Sequence, residues 1–385
     1  MKDTERNLMR EEFGVRSAAM IFAALTLAAL SFAPSLGAAP KPDESAPLRV
    51  GIAGLVHGHV SGFFQNYLHS PLIQIVGIAE PDADLSARVA KQYSLDRALF
   101  YTSLDEMIEK ARPQAILIYS STFDHRKLVE ICAKHHVDAM MEKPLAVSFA
   151  DAKAMEKAAN DGGIQVMVNY ETTWYASNRA AYDLLHDHTI GDLRKFVAHD
   201  GHRGPKEIGV GPDFMKWLMD PKLDGAGALY DFGCYGADLV TWLMDGAEPV
   251  SVTAVTQQIK PDEYPDVDDE ATIVVTYPKA QAIIQASWNW PFDRKDIEVY
   301  GETGYVKTVL RDRILVRRER DEALQTAKAL APPDDDELHY LRAVVLDKMK
   351  PTGPTSLQIN MVAMEILDAA RESARTGKTI HPHSN

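Results

Sequence analysis

The sequence predicts an α/β protein in two parts: a doubly wound parallel sheet first, then an α+β part built on a large open, mainly antiparallel sheet. Three observations predict it. From Leu48, strand-like and helix-like segments alternate over about 120 residues, the signature of a parallel sheet covered on both faces. Well beyond Asn169, five strand-like segments follow one another with no helix between them, which suits antiparallel pairing. The chain has 385 residues, 46% of them hydrophobic, enough for two cores at roughly 150 residues each.

In the first part, Leu48 to Ala53 is a short apolar run ending at a glycine-rich turn, as a buried parallel strand requires. Helical spacing follows at Gly58 to Leu68, a strand at Ile73 to Ala79, and helices at Ala83 to Tyr93 and Ser103 to Lys110. Ala115 to Tyr119, Val137 to Met141 and Gln165 to Asn169 read as strands; Lys127 to His135 and Ser148 to Asp161 read as helices. Ser148 and Asp151 stand where a capping box places its pair. These residues, 48–170, are expected to form one domain, and 171–385 a second with its C-terminal helices packing back. In the second part we expect helices at Trp174 to Leu185 and Leu229 to Leu243, with a strand at Leu193 to His199 between them. Strands follow at Val250 to Gln257, Ala271 to Tyr277, Gln281 to Ser287, Ile297 to Tyr300 and Val306 to Leu310. Arg320 to Asp336 reads as a loop, and Glu337 to Lys348 and Leu357 to Thr376 as closing helices.

A formal net charge of -14 argues against nucleic acid or an anionic membrane surface as partner. Two cysteines, Cys132 and Cys234, cannot build a disulfide framework or a cysteine-rich metal site. Ala18 to Ala33 is an uncharged apolar run preceded by Lys2, Arg6, Arg10 and Arg16 and followed by Gly37, Ala38, Ala39 and Pro40. A spanning helix needs about 20 apolar residues, so 1–39 reads as an export signal and 40–47 as a linker. An uncleaved anchor or an ordinary helix is the alternative. Export would leave the mature chain periplasmic or secreted, with no stable membrane span.

The glycine turn runs Gly51-Ile-Ala-Gly54-Leu-Val56-His57-Gly58-His59. Glycines after a first strand let backbone approach a pyrophosphate, which then rests on a helix N-terminus, the Rossmann arrangement. Here Val56 takes the second glycine position and His59 the third, and the Val56 side chain crowds the pyrophosphate. Glu80 ends the second strand about 26 residues after Gly54. A carboxylate there can accept from ribose hydroxyls and repels a 2′-phosphate, which favours NAD over NADP. Lys143, in Glu142-Lys143-Pro144, ends a buried strand, where such sheets bind ligands. Its ammonium can stabilise an alkoxide, and partial burial would draw its pKa toward neutrality.

Glu142-Lys143-Pro144 resembles the hallmark of the glucose–fructose oxidoreductase/inositol dehydrogenase (Gfo/Idh/MocA) family. Ser120-Ser121-Thr122-Phe123-Asp124-His125 is similar to that family's turn after an earlier strand. Trp217-Leu-Met-Asp220-Pro221, Gly225 to Tyr235, Ser287 to Pro291 and Tyr300 to Gly304 are similar to its later motifs. The resemblance covers roughly Leu48 to Pro382. It implies a cofactor site of Gly54, Val56, His57, Gly58, His59, Glu80, Ser120, Ser121, His125, Glu142 and Lys143. It also implies catalysis by Lys143 and Tyr235 as an acid–base pair at a carbinol, with Asp231 orienting the substrate or Lys143. Asp231 and Tyr235, four apart, share a helix face, and a phenol beside an ammonium would exchange its proton more readily near neutral pH. Trp174 would wall the pocket, or be core. The histidines fit no strong zinc spacing, and no metal is expected.

The function so implied is an exported NAD(P)-dependent oxidoreductase acting on a sugar, polyol or related carbinol, self-associating through its sheet face. NAD, rather than NADP, could be tightly held. The alternatives are an NAD-dependent glycoside hydrolase or lyase that oxidises a sugar hydroxyl transiently, and a non-catalytic sugar- or nucleotide-binding protein.

Overall fold

The computed structural model describes residues 46–383. The export signal and nearly all of the linker expected from the sequence lie outside the described residues. In the first half, β1 (Leu48–Ala53), β2 (Ile73–Ala79), β3 (Phe100–Tyr101), β4 (Ala115–Ile118), β5 (Asp138–Glu142) and β6 (Val166–Asn169) form a six-stranded parallel sheet in the order 3-2-1-4-5-6. The helices between them are α1 (His59–Tyr67), α2 (Ala83–Tyr93), α3 (Leu104–Ala111), α4 (His125–Lys134) and α5 (Phe149–Gly162). Strand order reverses between β1 and β4, which opens a crevice at their carboxyl ends. Capping fixes where several helices begin. The Asp82 carboxylate accepts from the Asp84 and Leu85 amides ahead of α2, and Ser148 Oγ accepts from the Asp151 amide at 3.1 Å ahead of α5.

The second half adds α6 (Ala176–His186), β7 (Leu193–Gly201), and four helices, α7 (Pro212–Leu218), α8 (Pro221–Asp224), α9 (Ala228–Asp231) and α10 (Gly233–Leu243). Seven strands follow: β8 (Ser251–Gln257), β9 (Glu270–Thr276), β10 (Gln281–Ser287), β11 (Arg294–Gly301), β12 (Tyr305–Leu310), β13 (Arg313–Arg317) and β14 (Glu322–Thr326). Helices α11 (Glu337–Leu346) and α12 (Leu357–Thr376) close the chain. The eight-stranded sheet runs 14-13-12-11-7-10-9-8 and is antiparallel except where β10 lies parallel to β7. Along β9 and β10, alternate residues from Ala271 to Ala286 are buried, and α10 and α12 cover that face.

The structure departs from the sequence reading in five places, the first being the two-residue strand β3, which was not expected. Two short helices, α7 and α8, lie after β7, where no element was expected; Pro212 and Pro221 at their first turns have φ preset for a helix. The stretch 229–243 is two helices, broken at Phe232. β13 was not expected, and β14 falls inside what reads as a loop. Among the described residues no helix is long and apolar enough to cross a membrane.

Candidate functional site

The carboxyl ends of β1, β2 and β4 enclose a cavity of about 330 Å3, lined by Gly54, Val56, Glu80, Ser120 and Asp124 among others. Gly54 has φ +81°, and a Cβ there would stand 2.8 Å from the Ser120 Cα. Only glycine lets β1 turn this close to the end of β4. Glu80 is buried. Its two oxygens accept from the Leu55 amide at 2.8 Å and the Asp82 amide at 2.9 Å. Burial raises its pKa, against those two hydrogen bonds. The Val56 side chain lines the same cavity while its carbonyl accepts from Trp217 Nε1 at 3.3 Å. Ser120 and Ser121 are buried; Ser120 Oγ donates to the Ser121 carbonyl, and Ser121 Oγ to Asp124.

Near the glycine turn and the end of β4, two buried histidines carry ring atoms without partners among the described residues. His57 Nδ1 accepts from the His59 amide at 3.2 Å, which leaves the ring proton on Nε2; that atom is buried and has no partner among the described residues. Burial, then His59 and Lys143, hold its pKa well down, so the ring is neutral. His125 Nδ1 donates to the Leu145 carbonyl at 3.2 Å, its Nε2 is likewise unpartnered, and burial pulls its pKa to about 4. Buried polar atoms without partners are costly, and two such rings beside a glycine turn offer one donor and one acceptor to a cofactor. Gly58 caps α1, and the exposed His59 bonds Glu142 at 2.9 Å. Glu142 also accepts from Asn169 Nδ2, and Asn169 Oδ1 accepts from Trp174 Nε1 at 3.0 Å. Trp174 is half-buried, packs on Tyr340, and borders a cavity of about 400 Å3 together with His59, Glu142 and Glu171. His57, His59 and Glu142 also bring three metal-ligand atoms within 4.8 Å of one another, a grouping that the sequence spacing did not reveal.

Lys143 follows directly on β5 and meets the second half of the chain. Its Nζ donates to Asp231 Oδ1 at 2.5 Å and to the Asp231 carbonyl at 2.8 Å, and both side chains are buried. Trp288 Nε1 holds the other Asp231 oxygen at 2.9 Å. Burial lowers the Lys143 pKa, but the Asp231 carboxylate more than offsets it and the net direction is up. For Asp231, burial pushes up, but Lys143 and His202 hold the carboxyl below its ordinary value. The expectation that burial would bring Lys143 toward neutrality therefore fails: its counter-ion decides. Tyr235 is also buried. Its ring centre lies 5.2 Å from Lys143 Nζ, and its hydroxyl accepts from Lys295 Nζ at 3.3 Å. Burial, then Glu171, raises its pKa well above that of a free phenol, opposite to the direction expected beside an ammonium.

The structure thus brings Lys143, Asp231 and Tyr235 together, with Glu142 and the glycine turn at the adjoining strand ends. Sequence reasoning missed Trp288, Lys295, Glu171 and Arg311. Trp288 lay inside a motif already noted, but nothing local ties it to a residue 57 positions earlier.

The oxidoreductase family pattern with an NAD-binding Rossmann fold matches residues 48–170, and the GFO/IDH/MocA C-terminal domain pattern matches residues 178–307. The chain belongs to the GFO/IDH/MocA oxidoreductase family. Its relatives include proteins named as dehydrogenases. It is 24% identical over 205 residues to trans-1,2-dihydrobenzene-1,2-diol dehydrogenase of Sus scrofa, a match spanning 53% of this chain and 57% of that enzyme. It is 24% identical to D-apiose dehydrogenase of Rhizobium rhizogenes, over 80% of this chain and 89% of that one. The solved aldose-aldose oxidoreductase of Caulobacter crescentus, complexed with glycerol, superposes with a TM-score of 0.74 at 20% identity, covering 87% of this chain and 99% of that one. That likeness speaks for the GFO/IDH/MocA fold.

Proposed function

We propose that this chain is a dehydrogenase that uses NAD in preference to NADP and interconverts a carbinol and a carbonyl on a sugar, polyol or related diol. The observation that carries the reading is the buried Lys143–Asp231 ion pair at the end of β5, beside the Tyr235 ring. When bound, the nicotinamide supplies or accepts the hydride. Lys143, kept charged by Asp231, has one N–H beyond the two that Asp231 engages, and presents it to the substrate oxygen. Charge building on that oxygen is stabilised by a fixed, water-excluded ammonium, usually the largest single catalytic effect. In reduction, Tyr235 gives its proton to the developing alkoxide and is left as the phenolate; in oxidation the phenol first releases that proton to solvent, and the phenolate then takes the carbinol proton as the hydride leaves. Glu80 takes the ribose hydroxyls and, with Asp124 on the same cavity, repels a 2′-phosphate. Gly54, Val56, His57, Gly58, His59, Ser120, Ser121, His125 and Glu142 complete the cofactor site, and Trp174 walls the substrate side.

The same proposal includes export with a mature end near Ala38 to Pro40, self-association through the sheet face, and a firmly held cofactor, which suits a compartment poor in free nicotinamide nucleotides. The support is the apolar run 18–33 with its small-residue flank. Amino-terminal sequencing of protein from its native host should read a start near Pro40; a full-length cytoplasmic product would end the export part. For the activity, NAD and NADP are titrated by calorimetry, and bound NAD is followed at single turnover with trans-dihydrobenzenediol, D-apiose and D-glucose. NAD should bind more tightly, and Glu80→Ala should narrow the difference. No binding of either nucleotide would overturn the reading.

A further inference from the structure

A second ammonium stands at the candidate catalytic tyrosine. Lys295, near the start of β11, donates to the Tyr235 hydroxyl oxygen at 3.3 Å and to the Glu171 carboxylate. Its Nζ lies 4.6 Å from the centre of the Tyr235 ring, closer than Lys143 at 5.2 Å. Both ammoniums also lie within 6 Å of the Phe232 ring. The two lysines differ in access: the Lys143 side chain is 6% exposed, that of Lys295 21%. Lys295 lines a cavity of about 400 Å3 with Glu171, Tyr175, His202 and Arg311. Glu171 is itself held by Lys295, by the Tyr175 hydroxyl at 2.8 Å, and by Arg311 at 3.6 Å. Burial raises the Glu171 pKa, but these partners, Lys295 first, pull it down to about 2. Lys295 is therefore anchored at a fixed point by a permanently charged partner.

We infer that Lys295 is a positioning residue for Tyr235: its N–H takes a lone pair of the phenol oxygen, so the phenol's own proton is left pointing at the substrate. An oxygen that accepts from an ammonium cannot send its proton back along the same line. As the Tyr235 O–H bond breaks and the substrate alkoxide gains that proton, the phenolate left behind sits beside the Lys295 ammonium. The reverse transfer regenerates the phenol without any other reactant. Lys143 cannot supply this charge alone, because Asp231 balances it. Lys295 is balanced by Glu171, whose own charge is shared with Arg311. The other titratable groups that bear on this point are Asp200 on β7, Arg294 and Asp296 on β11, His202 and Asp293 at the cavity, and Glu142 at the end of β5. The buried Asp200, opposite Lys295 in the strand register, has both oxygens unpartnered, and burial keeps it protonated.

The inference rests on Tyr235 as the proton carrier, and the experiment separates the two. Lys295→Met, Lys295→Arg and Tyr235→Phe are assayed with NAD and D-apiose, D-glucose and trans-dihydrobenzenediol as probe carbinols, over a range of pH. Lys295→Met should lower kcat by about a hundredfold, the low end for losing a donor to developing charge. KM should change little, and the pH at which oxidation reaches its plateau should rise. Lys295→Arg should recover part of kcat. Cys132 and Cys234 are fully buried, so Lys295→Cys can be aminoethylated selectively to rebuild the ammonium, and kcat should return even if Lys295→Met folds poorly. Unchanged kcat and pH profile in Lys295→Met, or no recovery on aminoethylation, would overturn the inference while leaving an inactive Tyr235→Phe to stand for the wider reading. Normal turnover in Tyr235→Phe would remove both.

Discussion

Lys143 and Tyr235 sit at one buried point, so their loss should be felt as a unit. Lys143→Met and Tyr235→Phe should each lower single-turnover reduction of NAD by on the order of a hundred- to ten-thousandfold, with cofactor affinity kept. The double variant should be little worse than either. Near-normal turnover in either single variant, with cofactor bound, would reassign that residue to packing. Asp231→Asn leaves Lys143 buried beside a neutral amide; removing one partner of a buried pair costs about 3–5 kcal/mol, so this variant should lose stability as well as rate. His125 carries a second prediction. Its folded pKa of about 4 lies below the unfolded value near 6.5, so the unfolded state binds more protons between those values. Stability is then complete above about pH 6.5 and falls as pH drops toward 4. The shift of roughly 2.5 pKa units corresponds to on the order of 3 kcal/mol. Urea melts at pH 7 and pH 5 should show the loss, and His125→Gln should flatten it; an equal slope in both proteins would refute the buried neutral ring. At this scale the sequence was legible where chemistry is local. Asp231 and Tyr235 share a helix spacing, and Lys143 ends a strand. The protonation states were not, because they depend on which counter-ion the fold brings: Asp231 to Lys143, Glu171 to Lys295.

Elements were legible in proportion to their hydrophobic period. The twenty-residue helix α12 was read to the residue because its buried positions recur at helical spacing and Gly377 ends it in the left-handed conformation. β14 had no such signal: every residue from Glu322 to Thr326 is exposed, and only backbone pairing with β13 makes it a strand. Helix α8 is one turn long, too short to show a period. The glycine turn was read as degenerate, and its decisive glycine is Gly54. Gly54→Ala must adopt φ near +81° and push a methyl into the Ser120 backbone. The left-handed conformation alone costs about 1–2 kcal/mol, and the displaced turn should weaken NAD binding by more than tenfold. Gly62→Ala, with open space at its Cβ, is the matched control on α1. Equal melting temperatures and equal NAD affinity for the two variants would show that the turn tolerates a side chain and that the close approach to Ser120 does not matter.

At the scale of the whole molecule, the eight-stranded sheet buries one face under α10 and α12 and leaves the other to solvent or to another copy. On that second face Val197, Val274 and Ile283 stand in register across β7, β9 and β10, forming a half-buried apolar stripe. Glu298, Lys307 and Tyr300 flank it on β11 and β12. An apolar centre with a polar rim is the composition of a protein interface, and a flat sheet face can supply the roughly 800 Å2 per partner that a stable one needs. Cyclic dimers are the commonest closed arrangement of identical chains, and they place the same patch on both copies. A single charge in the stripe would therefore be introduced twice at the contact. Ile283→Glu should convert the assembly to monomer in sedimentation velocity at micromolar concentration, while NAD affinity stays within about twofold because no cofactor-site residue lies on this face. A monomeric unmodified chain at tens of micromolar, or a variant that remains assembled, would remove the sheet face as the self-association surface.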